Sequence, residues 1–148
     1  MLAARPKRRG ALVSETQMQF ETTLPAQISA ISGAVDSVLY VVRQSGRAHG
    51  KEFEIEMAVR EALANAILHG CHGDPTKHVE CGMDFNDAGG ILIVVRDPGQ
   101  GFDPAQIPSP IDEQNVHSEH GRGVFLIHRL MDEVRYERGG TEIHMRKY

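Results

Sequence analysis

The sequence predicts an α/β (α+β) two-layer sandwich, a mixed and mainly antiparallel sheet covered on one face by helices. Three observations predict it. Segments of period 2 and period 3.6 follow one another as strand, two helices, two strands, helix and two strands. Ile91 to Val95 is an unbroken apolar run, as expected of a central strand covered on both sides. The last two strand patterns flank Gly139-Gly140 and read as a closing hairpin.

The elements follow in chain order. Residues 1–15 read as a basic, flexible tail holding Arg5, Lys7, Arg8 and Arg9, and residues 16–148 as a single domain. Met18, Phe20, Thr22 and Leu24 alternate with polar residues, giving a strand that ends at Pro25. Ile28, Ile31, Val35, Val38, Leu39 and Val42 recur at helical spacing, and Gly46 closes that helix. Phe53 to His69 carries a second helical pattern through Ile55, Val59, Leu63 and Ala66, ending at Gly70. Val79, Cys81, Met83 and Phe85 alternate as a strand, with a turn at Asp87-Ala88-Gly89-Gly90 before Ile91. Residues 98–120 show no period and contain Pro98, Pro104, Pro108 and Pro110, so they read as a lid. Val124 to Met131 is a short apolar helix introduced by Gly121-Arg122-Gly123, and Val134–Glu137 and Glu142–Arg146 form the hairpin.

Bulk properties exclude several classes of function. A chain of 148 residues suits one core that buries about 70% of its unfolded surface. A net charge of -4 gives no reason to expect nucleic-acid binding. No apolar run approaches the ~20 residues that cross a bilayer, and Met1 to Gly10 lacks the apolar centre of an export signal. Two cysteines, Cys71 and Cys81, make no disulfide framework, so the reduced cytoplasm is the expected compartment.

Three local patterns carry chemistry. Glu61 and Asn65 lie one turn apart on one helix face, among Ala58, Ala62, Ala64 and Ala66, which leave room for a ligand. The Asn oxygen suits Mg²⁺, and the Glu could take a proton from an attacking hydroxyl. Alone, the pair reads rather as an ordinary solvated one. Asp97-Pro98-Gly99-Gln100-Gly101 follows the apolar strand, placing a carboxylate where it can accept a hydrogen bond from an adenine amino group. The two glycines permit positive φ and close approach to a flat ring. Alone, this too is a common strand-ending turn. His120-Gly121-Arg122-Gly123 opens an apolar helix, a place where free N–H groups and the helix dipole favour phosphate. There is no GxxxxGK[ST] and no GxGxxG after the first strand.

Taken in order, Glu61-Ala-Leu-Ala-Asn65-Ala-Ile-Leu-His69-Gly70, Asp97-Pro-Gly-Gln-Gly101-Phe102 and Gly121-Arg-Gly-Val-Phe-Leu-Ile127 resemble the GHKL (Bergerat-fold) superfamily. Leu130-Met-Asp-Glu-Val134 and Gly140-Thr-Glu-Ile143 extend the likeness to the anti-sigma factor serine/threonine kinases. The resemblance runs from about residue 17 to the end. It implies ATP and Mg²⁺ as ligands, Asn65 on the metal and Glu61 as catalytic base toward a protein hydroxyl. It implies Asp97 and Thr141 on the adenine, Gly99 and Gly101 along the base and ribose, and Gly121, Arg122 and Gly123 on the phosphates. The subgroup has Met where this chain has Arg122. The implied partners are a sigma factor and an antagonist (anti-anti-sigma) protein, and the implied assembly is a homodimer, with neither nucleic acid nor membrane.

The expected function is therefore an ATP-binding anti-sigma factor with protein kinase activity. A non-catalytic ATP-binding interaction module is the alternative, and a detached histidine-kinase catalytic domain a more distant one. His69, Cys71, His72 and Asp74 match no zinc-finger spacing, so His69 and His72 read as helix-end histidines near the nucleotide site. Cys81, Met57 and Met131 read as core, and His117 and His120 as part of the lid.

Overall fold

The computed structural model describes residues 18–99 and 119–148, with side chains of the second segment from residue 123 onward. β1 (Phe20–Pro25) leads through a 3-10 turn (Ile28–Ala30) into α1 (Ile31–Ser45) and then α2 (Glu52–Asn65). β2 (His78–Phe85) and β3 (Ile91–Arg96) follow, then α3 (Glu119–Leu130), β4 (Glu133–Glu137) and β5 (Glu142–Lys147). The strands form one sheet in the order β1-β2-β3-β5-β4, and each neighbouring pair is antiparallel. The expected two-layer architecture is present. The tail at residues 1–15 and residues 100–118 of the expected lid lie outside the described residues.

The periodicities explain the layers. On α1, Ile31, Ala34, Val35, Val38, Leu39 and Val42 are all buried, a stripe along one helix face. Gly46 ends the helix in the left-handed conformation at φ 67, where a side chain would be strained. α2 adds Ile55, Ala58, Val59, Ala62 and Leu63 to the same core. The sheet answers with alternate residues: Val79, Cys81 and Met83 from β2, Ile91, Ile93 and Val95 from β3, and Ile143 and Met145 from β5. β3 is buried from Ile91 through Val95; Leu92 and Val94 form a separate small cluster with Met18 on the face away from the helices. Cys81 is fully buried, and desolvation pushes its thiol up to about 12. Met131 belongs to the core, whereas Met57 is only half-buried.

Two differences from the sequence-based expectation bear on function. The helical pattern of residues 53–69 is not one uniform helix. After Asn65 the backbone continues as a π turn over Ala66–Gly70, with the Cys71 N–H donating to Ala66 O at 2.9 Å. Such one-turn widenings recur at functional sites because they re-aim the residues that follow. The second difference concerns Gly121 and Gly123, which lie within α3 and do not precede it. Helical hydrogen bonding begins before them, so any glycine requirement there must come from what packs against the helix.

The opposite end of the sandwich is pinned. The Arg47 guanidinium donates to Asn86 O and to Gly90 O and stands 5.3 Å over the Phe85 ring, while Lys51 Nζ donates to Tyr148 O. These contacts tie the α1–α2 connection to the β2–β3 turn and the last residue, away from Asn65, Gly70 and Asp97.

Candidate functional site

Where α2 ends and β3 ends, the two layers part around a cavity of ≈ 760 Å³, a size typical of small-molecule sites. Val95 and Ile143, paired across β3 and β5, form its floor. Ala62 of α2 with Ala66 of the π turn, and Val124 and Ile127 of α3, form facing walls, and Tyr136 of β4 closes one side. The apolar floor and walls follow from the same alternation that builds the core, with alanine at position 62 of α2 in place of a larger side chain.

Asp97 stands at one end. It is the second residue after Val95, so the strand alternation points both to the same face. Its N–H donates to Thr141 O at 2.9 Å, extending the β3–β5 pairing one step beyond the strand ends. Its Oδ1 accepts the Gly99 N–H at 2.8 Å, which leaves Oδ2 for a ligand. Burial pushes the Asp97 carboxyl above its ordinary value, and the Gly99 hydrogen bond opposes this only in part. Thr141 lines the same end, with its hydroxyl donating to Arg138 O at 2.9 Å.

Two glycines make room for that carboxylate. A Cβ on Gly70 would stand 2.5 and 2.6 Å from the two Asp97 carboxylate oxygens. A Cβ on Gly99 would stand 2.7 Å from Asp97 Oδ1 and would also meet Gly70 O. Neither glycine has a positive φ, so Gly99 is required for close approach and not for the backbone freedom expected from its turn. Gly70 reads in the sequence as a helix terminator, which concealed its role as a gap beside Asp97. A simple test follows. Glycine to alanine in a helix ordinarily stabilises by about 0.5–1 kcal/mol, whereas overpacking costs about 1–3 kcal/mol. The clash wins, and Gly70→Ala is expected to lower Tm by several degrees in calorimetry; a rise would show that Asp97 moves aside freely.

The other end belongs to Glu61, Asn65 and Gly123. A Cβ on Gly123 would stand 2.7 Å from Glu61 Oε2 and 3.4 Å from both Asn65 side-chain termini. The two α2 side chains thus converge on a bare stretch of α3 backbone, with oxygens of the hard kind that a small divalent cation prefers. Gly121 and Arg122 are placed by their backbone in the first turn of α3; Gly101 lies outside the described residues. The structure brings Asn65, Asp97, Gly99 and Thr141 to one cavity and sets Glu61 and Gly123 at its margin.

Sequence reasoning gave no role to Tyr136 or Lys77, both of which line the cavity, as do His69 and His72, the histidines it set at a helix end near the nucleotide. Burial pushes the Tyr136 phenol up to about 12, so it stays protonated at neutral pH. Its signal was its place in a period-2 hairpin, where it reads as core. Cys71 is fully buried behind Asp97; desolvation, then the Asp97 charge, pushes its thiol up, the reverse of what a thiolate metal ligand needs. Among the described residues no three His, Cys, Asp or Glu side chains are grouped to hold a metal ion. No helix among them is long and apolar enough to cross a membrane.

Comparison with known proteins agrees with this geometry. Residues 22–147 match the histidine kinase-like ATPase domain. The chain is 33% identical to the serine-protein kinase RsbW of Staphylococcus epidermidis, covering 92% of this chain and 90% of that protein. It is 34% identical to the anti-sigma F factor of Bacillus cytotoxicus, over 64% of this chain and 68% of that protein. A serine-protein kinase RsbW of Oceanobacillus iheyensis is 27% identical, over 86% and 85% of the two chains. From the cavity, the ordered motifs and these likenesses, the chain belongs to the histidine kinase-like ATPase family, in its GHKL anti-sigma kinase branch.

Proposed function

We propose that this protein is an ATP-dependent serine/threonine kinase that phosphorylates an antagonist protein and restrains a sigma factor. The observation that carries the reading is the convergence of Glu61 and Asn65 on Gly123, at the margin of a cavity with an apolar floor whose far end is the half-buried Asp97. Relatives named as serine-protein kinase and anti-sigma factor support it.

The residues divide the work by chemistry. Asp97 Oδ2 accepts from the exocyclic amino group of adenine, and Thr141 adds a hydroxyl at the same edge. Gly99 and Gly101 let the backbone approach the base and ribose. Gly121 offers a free first-turn N–H to the phosphates, the Arg122 guanidinium adds positive charge, and Gly123 allows a close approach to the helix backbone. Asn65 offers its side-chain oxygen to Mg²⁺, and the missing Cβ at Gly123 leaves space beside it. When bound, Mg²⁺ would neutralise charge on the phosphate oxygens. Glu61 receives the proton of the attacking serine or threonine hydroxyl.

The test uses the full chain with labelled ATP and candidate antagonist proteins, beside a calorimetric titration with ATP and Mg²⁺. Acid-stable label on a serine or threonine is the expected result, and light scattering on the same sample reports the homodimer that the reading includes. Nucleotide binding without label transfer would leave only a binding module, and acid-labile label would indicate a histidine acceptor.

A further inference from the structure

The face of the sheet away from the helices holds a buried carboxylate that the proposed chemistry does not use. Glu142 is 1% exposed. It alternates with Ile143, which lines the cavity, so its side chain leaves the sheet on the opposite side. There Glu142 Oε1 lies 2.8 Å from His144 Nε2, and Oε2 lies 3.1 Å from Arg138 Nε. The second contact is an ion pair out of line for a hydrogen bond, and Oε2 accepts none. Glu142 also sits in register between Arg96 on β3 and Glu137 on β4.

Arg138 shows what this cluster holds. Arg138, Gly139 and Gly140 all have positive φ, at 52, 67 and 89. Two of the three are glycines, for which this conformation is cheap, but Arg138 is not, and an L side chain there is strained. Arg138 O accepts the Thr141 hydroxyl, and Thr141 O accepts the Asp97 N–H. A short chain of contacts therefore runs from Glu142 through Arg138 and Thr141 to Asp97, from one face of the sheet to the other.

We propose that Glu142 is a positioning residue for base recognition: its ion pair with Arg138 fixes the left-handed 138–140 turn and so sets Thr141 against Asp97. The inference rests on the reading of Asp97 and Thr141 as the adenine-contacting pair. It treats the buried carboxylate as a device for nucleotide selectivity, acting through the backbone without touching the ligand.

The measurement is the ratio of ATP to ITP affinity, each by calorimetry with Mg²⁺, because inosine lacks the amino group that Asp97 would accept from. General destabilisation weakens both nucleotides alike and leaves the ratio where it was. Glu142→Gln keeps the shape and removes the charge; Arg138→Met removes the exposed partner and keeps the same backbone demand. Both are expected to lower the ATP:ITP ratio by ~fivefold, the scale of an indirect coupling. Arg146→Met removes an ion pair at the far end of the β4–β5 hairpin, to Glu133 at 3.6 Å, away from the 138–140 turn, and should leave the ratio unchanged. A wild-type ratio in both Glu142→Gln and Arg138→Met overturns the proposal. If the wild-type chain itself does not distinguish ATP from ITP, the reading of Asp97 fails first and this inference falls with it.

Discussion

Asp97→Asn is expected to weaken ATP binding by about 100-fold while leaving Tm unchanged or raised. The two halves have separate causes. A hydrogen bond to an ionised acceptor contributes about 1.5–3 kcal/mol, roughly ten- to 150-fold in affinity. Asparagine cannot recover it by turning its oxygen inward. The Gly99 N–H already holds one acceptor of residue 97 at 2.8 Å, which pins the amide oxygen and turns the NH₂ toward the ligand. Two donors then face each other, so the loss belongs near the upper end of the range. The stability effect has the opposite sign because burial raises the Asp97 carboxyl in the fold. A group raised in the folded state favours folding when protonated, and that contribution is lost as pH climbs through its folded value. At neutral pH the ionised carboxylate is therefore a cost, and the neutral amide removes it. Binding runs the other way with pH, since adenine needs the ionised form. Acidification should weaken ATP binding from a higher pH than an ordinary carboxylate would, with no such trend in Asp97→Asn. A variant that loses nucleotide and Tm together would make Asp97 a structural residue.

This opposition explains which parts of the molecule were legible in its sequence. The layers were readable because burial imposes a period: the α1 stripe from Ile31 to Val42 and the alternation Val79, Cys81, Met83 each follow from one face meeting the core. The placement of Glu61, Asn65 and Asp97 around one cavity was readable because the residues stand at spacings set by a helix turn and a strand end. The glycines were readable as present but not as to purpose. Gly99 serves an approach to Gly70 as well as to the neighbouring Asp97, and Gly123 an approach to Glu61 and Asn65; Gly70, Glu61 and Asn65 are distant in sequence from these glycines, whereas a local reading offers only turns and helix starts. The π turn at Ala66–Gly70 was hidden because it leaves intact both the apolar period before it and the glycine that ends it. Tyr136 was hidden for a related reason: alternation assigns a residue to a face but does not say where that face opens into a cavity. Glu142 is the extreme case. Its position in a hairpin strand marks it as an exposed acid, and only the pairing of β5 between β3 and β4 buries it beside His144 and Arg138.

The second large effect belongs to Glu61, and there the magnitude depends on how the phosphoryl group moves. General-base assistance contributes about 10²–10⁴-fold. Phosphoryl transfer passes through a loose transition state in which bonding to the attacking oxygen is still slight, so little of that hydroxyl's proton has yet been lost. The benefit of a base therefore falls toward the low end, and Glu61→Gln is expected to slow single-turnover transfer from ATP to the antagonist protein by about 100-fold. ATP affinity should change little, because the amide keeps the size of the carboxylate and Asn65 remains on the same face of α2 to meet the cation. Asn65→Ala provides the contrast: it removes the oxygen offered to Mg²⁺ and should weaken Mg-ATP binding as well as transfer. The geometry makes the two separable, since both side chains approach Gly123 but lie a helix turn apart: from where a Cβ on Gly123 would stand, Glu61 Oε2 is 2.7 Å away and the Asn65 termini 3.4 Å. Transfer by Glu61→Gln at the wild-type rate would exclude the carboxylate as the base. Equal losses of nucleotide affinity in the two variants would instead put Glu61 in the metal site, and the proton would then have to leave by another route.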